Sequence, residues 1–127
     1  MSRLLWICLG GAVGSGARYL VSTWVLGTLG PAFPWGTLAV NAIGSFLLGA
    51  LMHVGLSTDL LSPTLRLALS TGVMGGFTTY STFNYETLQY VRDGALRLAA
   101  LNVGTTVILC LAAGLLGLAA ARALFGG

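Results

Sequence analysis

The residues that could do chemistry crowd into one stretch, Gly75-Gly76-Phe77-Thr78-Thr79-Tyr80-Ser81-Thr82-Phe83-Asn84. Two adjacent glycines are followed there by Thr78, Thr79, Tyr80, Ser81, Thr82 and Asn84, whose hydroxyls and amide compete with the helical ladder for backbone partners. A backbone that leaves the ladder frees carbonyls that can hold a small cation, and N–H groups and hydroxyls that can hold a small anion. Tyr80 and Phe83, three apart, share a helix face, and an aromatic ring offers a positive edge or a negative face. Asn41 adds an amide that can donate to an anion or tie two helices together. Arg18 and Glu86 can pair with each other, or Glu86 can stand in a vestibule; Asn102, Thr105 and Thr106 add further polar groups. Soluble-type catalysis finds no support, because the sequence has no nucleophile–base pair and no phosphate loop. It also lacks a cluster of Cys, His and carboxylates with metal-ligand spacing. His53 stands alone in an apolar segment, and Cys8 and Cys110 read as small packing residues.

The elements that must carry these groups are membrane spans. Charged residues make up 7% of the 127 residues and hydrophobic ones 56%, whereas a soluble domain carries roughly a quarter charged. No charge occurs between Arg18 and Asp59, or between Arg97 and Arg122, and about twenty apolar residues suffice to span a bilayer as a helix. A cleaved signal peptide is the alternative for the N-terminal run, but its apolar character continues past Arg18 to Leu29, longer than such signals. The pattern predicts an all-α membrane protein with one domain over 1–127 and four transmembrane helices at about 4–29, 35–56, 65–90 and 98–121, the third broken in its middle. Gly-Pro-Ala-Phe-Pro over 30–34, Asp59 with Pro63, and Asp93-Gly94 mark the turns. The net charge of +3 comes from six scattered arginines and suggests membrane anchoring, with no nucleic acid partner.

Arg3, Arg66 and Arg122 fall on the N-terminal side, and Arg92 and Arg97 on the other, with Arg18 deeper in the first helix. So small a bias lets a chain insert either way up, and two opposed copies can then pair about an axis in the membrane plane. Glycine and alanine pairs four apart, Gly10/Gly14, Gly72/Gly76 and Ala113/Gly117, favour close helix contacts.

The run Gly75-Gly-Phe-Thr-Thr-Tyr-Ser-Thr-Phe83 resembles the signature of the Fluc (CrcB-type) fluoride channels. Gly10-Gly-Ala-Val-Gly-Ser-Gly-Ala-Arg-Tyr19 and Gly36-Thr-Leu-Ala-Val-Asn-Ala-Ile-Gly44 are similar to that family's other two motifs. The resemblance implies an antiparallel, dual-topology homodimer in the bacterial inner membrane, with two fluoride pathways that lower cytoplasmic fluoride by passive export. Carried onto this chain it implies a pathway of Asn41, Thr79, Tyr80, Ser81, Thr82 and Phe83, with Arg18, Glu86, Asn102 and Thr106 as vestibule or structural polar groups. It also implies a structural Na+ at the dimer interface, held by the carbonyls of Gly75 and Thr78. Tyr80 stands where the family more often has Phe, and Cys110 and Gly114 follow Thr106 where some relatives carry hydroxyls. The competing expectation is a proton-coupled multidrug exporter of similar size; it needs a membrane-embedded carboxylate, and Glu86 near a helix end is the sole candidate.

Overall fold

The computed structural model describes residues 1–126 and is built of helices joined by short non-helical connections, with no strand among the described residues. Helix α1 (Ser2–Leu29) ends where Gly30 takes a positive φ of 86°, which a side chain would resist, and Pro31 follows. Helix α2 (Trp35–Ser57) starts after Pro34, and Thr58 closes it by donating its hydroxyl to the Val54 carbonyl (2.6 Å). Ser62 caps the next helix, α3 (Pro63–Leu67), by accepting from Leu65 N–H (3.1 Å), with Pro63 in the first turn where its missing N–H costs nothing.

Beyond α3 the chain widens into π-helical turns over Ala68–Met74, tightens into the single α-turn α4 (Gly75–Phe77), and becomes extended at Thr78 and Thr79. Helix α5 (Tyr80–Arg92) then starts afresh, with Thr79 Oγ1 accepting from Thr82 N–H (3.1 Å) as its cap. Helix α6 (Leu96–Phe125) follows the turn at Gly94. Beside the sequence-based ranges of 4–29, 35–56 and 98–121, α1 starts at Ser2, α2 runs to Ser57, and α6 extends from Leu96 to Phe125. The stretch expected over 65–90 is instead divided into α3, the π-helical turns, α4 and α5. Residue types carry no specific signal for a wide π turn, so this division was not readable in detail. Three helices, α1, α2 and α6, are each long and apolar enough to cross a membrane.

Packing rests on backbone meeting backbone. A Cβ at Gly10 would lie 2.5 Å from the Ala68 carbonyl, one at Gly72 2.9 Å from that of Ile7, and one at Gly76 2.6 Å from that of Gly11. The glycine pairs Gly10/Gly14 of α1 and Gly72/Gly76 of the π-helical turns and α4 therefore face one another across a contact that admits no side chain. Helix α2 packs most extensively on α6, and there too Gly49 abuts the Gly114 carbonyl and Gly117 that of Phe46. Because the helices close this tightly, the interior holds few large groups; Val40 and Asn102 are the largest fully buried side chains. The outer surface is apolar: Trp6, Leu20, Trp24, Ile108 and Leu111 are all exposed. Such a surface suits lipid and explains why so few residues are charged. The chain is a membrane protein.

Candidate functional site

Extended backbone at Thr78 and Thr79 leaves polar groups without helical partners, and the sequence supplies replacements. Asn41 of α2 meets Thr79 at two points: its Nδ2 donates to the Thr79 carbonyl (3.0 Å), and its Oδ1 accepts from Thr79 N–H (2.8 Å). This pairing fixes which way the amide faces and leaves the second Nδ2 hydrogen unused. Arg18 of α1 donates from Nε to the Gly76 carbonyl (3.0 Å). Thr78 stays tied to the preceding turn, its N–H and hydroxyl both donating to the Met74 carbonyl (3.0 and 2.9 Å). Gly44 makes room for this arrangement, since its missing Cβ would collide with the Thr78 methyl.

Beside the extended residues lies an open groove of about 510 Å³. Its walls come from Asn41 and Ser45 on α2, from Thr78, Thr79, Tyr80 and Phe83, and from Thr106 and Cys110 on α6. The rings of Tyr80 and Phe83 are 5.8 Å apart at 53°, and Tyr80 is 76% exposed. No ionised side chain lines the groove. Its polar atoms are amide, hydroxyl and thiol groups set in an otherwise apolar wall. Such a wall can exchange a small ion's water for neutral donors without holding the ion as a fixed charge would.

Six residues singled out from the sequence, Asn41, Thr78, Thr79, Tyr80, Phe83 and Thr106, share this groove. Ser81 does not line it; it is exposed, with its hydroxyl 3.4 Å from that of Thr79. Thr82 and Glu86 line a separate cleft with the hydroxyl residues Ser22, Thr23 and Thr37. Glu86 Oε1 is buried there without a hydrogen bond, and no ion pair joins it to Arg18. Asn102, 1% exposed, donates to Thr87 Oγ1 (2.9 Å), which in turn donates to the Phe83 carbonyl (2.9 Å). It braces the turn carrying Phe83 from behind. Sequence reasoning missed Ser45 and Cys110 as groove residues, although each stands one helical turn from a residue it did single out. Two further ties also escaped it: Arg66 donates to the Gly55 carbonyl (3.0 Å), and His53 donates from Nε2 to that of Gly126 (2.7 Å).

No group of three or more His, Cys, Asp or Glu converges among the described residues, so a resident cation would have to be held by neutral oxygens. The Thr78 carbonyl fits that demand, because it accepts no hydrogen bond among the described residues. Gly75 lies exposed one turn earlier, while the Gly76 carbonyl is already occupied by Arg18. Carbonyl oxygens are suitable ligands for a hard cation.

A family model described as "CrcB-like protein, Camphor Resistance (CrcB)" matches residues 5–118 of the chain. The chain belongs to the CrcB family. Among its relatives, a protein of Sorangium cellulosum named fluoride-specific ion channel FluC is 55% identical over 127 residues, the full length of both chains. Proteins with the same name come from Anaeromyxobacter dehalogenans and Geobacter sulfurreducens. The first is 59% identical over 113 residues, 89% of this chain and 90% of the relative. The second is 52% identical over 124 residues, 98% of this chain and 100% of the relative. The matched residues of this CrcB chain include the Gly10–Tyr19 and Gly36–Gly44 motifs and the whole segment from Gly75 to Asn84.

Proposed function

We propose that the chain is a subunit of a fluoride-selective channel that lets fluoride leave the cytoplasm down its electrochemical gradient. The observation that carries the reading is the convergence of Asn41, Thr79, Tyr80, Phe83 and Thr106 on one groove lined by neutral donors and aromatic side chains. Near-full-length relatives named for fluoride-specific conduction support it. Fluoride is small and strongly hydrated, so its shell must be replaced by several weak donors in succession, and a bare arginine in the narrow section would trap it. Arg18 is spent on the Gly76 carbonyl and does not line the groove. The chain is a channel subunit and not an enzyme. The multidrug-exporter alternative lacks its main requirement, since the groove contains no carboxylate and Glu86 lies in other clefts.

In this reading, α3 through α5 form a third transmembrane span, broken at Thr78 and Thr79 near its middle, and the chain crosses the membrane four times. Two subunits pair antiparallel in the bacterial inner membrane. The near balance of arginines between the two ends and the heavily exposed apolar flanks support this arrangement. Tyr80 stands exposed at the groove rim, where a second copy would enclose it. A sodium ion at that interface would take the Thr78 and Gly75 carbonyls and supply a fixed positive charge that holds the extended residues in place. Ser81 and Thr82, outside the groove of a single subunit, then belong to the approach along α5, with Glu86 at its mouth.

The test is efflux from liposomes holding the purified protein, with fluoride and chloride followed side by side. Rapid fluoride loss with chloride retained, abolished by Phe83→Ala, is the expected outcome. Retention of both ions by folded protein, unchanged by Tyr80→Phe, would overturn the reading.

A further inference from the structure

The groove continues one helical turn beyond Asn41, about 6 Å deeper along α2, to Ser45. Helices α2 and α6 run side by side in the same direction, so Thr106 and Cys110 form a matching pair of steps on the facing wall. Around these steps the wall is apolar, built by Leu48, Val107 and Leu111. Ser22, Ser70 and Thr87 satisfy their hydroxyls by donating to the carbonyl four residues earlier. Ser45 makes no such bond among the described residues; the Cys110 thiol, a weak partner, lines the same groove. A half-buried hydroxyl in an apolar wall pays for its desolvation unless the groove brings it a partner.

This inference rests on the fluoride-channel reading. On α6 the hydroxyl step ends at Thr106, because the next turn offers only the weak S–H donor of Cys110. An ion passing the free N–H of Asn41 and the Thr106 hydroxyl would therefore lose donors on that wall while still surrounded by leucine and valine. We infer that Ser45 contacts the permeating ion, donating its hydroxyl to fluoride one turn past Asn41 where the facing wall has a thiol. The donor track of this chain thus crosses from α6 to α2 at this depth.

Liposome efflux of fluoride, with wild-type protein as control, tests this directly. Ser45→Ala removes a single oxygen and should slow fluoride efflux roughly tenfold, as expected for the loss of one hydrogen bond to a charged group. Ser45→Cys keeps the size and loses the strong donor, so it should fall equally far; a packing role would leave it near wild type. Adding Cys110→Ser to Ser45→Ala restores a hydroxyl to the facing wall and should recover most of the rate. Wild-type conduction with Ser45→Ala or Ser45→Cys unimpaired, or with no recovery in the double variant, overturns the inference alone. Failure of the wild type to conduct fluoride overturns the channel reading with it.

Discussion

At the scale of single residues, the amide of Asn41 matters most. Its side chain stands in for the helical partners that Thr79 has lost, and its remaining hydrogen is available to the groove. The sequence allowed either an ion contact or a helix-to-helix bond at this position, and an amide with two hydrogens can serve both. The choice was not legible because it depends on which backbone atoms lie opposite, a tertiary fact. Asn41→Asp keeps the acceptor for Thr79 N–H but loses the donor and introduces negative charge. Fluoride efflux should fall at least tenfold, the equivalent of about 1.5 kcal/mol or more for one charge-assisted hydrogen bond, as read in liposomes. Arg18 was legible as an intramembrane cation that needs a partner, but its partner turned out to be a carbonyl and not Glu86. Arg18→Met should lower stability by about 1.5–3 kcal/mol, measured by unfolding in detergent, because the Gly76 carbonyl loses a charged donor.

At the scale of elements, the three long helices could be read from hydropathy alone, since an apolar run of this length has few other structures available to it. The region between α2 and α6 was harder. The glycine pair and the hydroxyl run marked it as irregular, yet the extended residues are Thr78 and Thr79, beyond Gly75 and Gly76. The glycines serve packing instead: Gly76 lies against the Gly11 carbonyl, and Thr79 supplies the cap from which α5 restarts. Gly76→Ala should therefore push α1 away and cost about 1–3 kcal/mol of stability, the usual range for overpacking. Gly44→Ala acts on the other side, against the Thr78 methyl. It should disturb the groove more than the fold, so fluoride efflux should drop while the unfolding temperature changes little.

Taken whole, the chain has an apolar exterior, a narrow interior, and arginines at both ends. Antiparallel pairing makes a prediction that needs no conduction: Asp59→Cys, in the turn after α2, should react with a membrane-impermeant thiol reagent from either side of the membrane. Placing two extra arginines at one end should make labelling one-sided and reduce the yield of functional protein. Within one chain, the backbone contacts make two rigid girders: α1 with the π-helical region, and α2 with α6, which is tied at its far end through His53 and Gly126. Asn41 and Thr79 bridge them like one rung of a β-ladder inserted between helices. The Thr79 amide should accordingly exchange its hydrogen for deuterium as slowly as a helical one, despite its extended backbone. Under mild detergent stress it should be among the first amides to open, marking the seam where the two girders part.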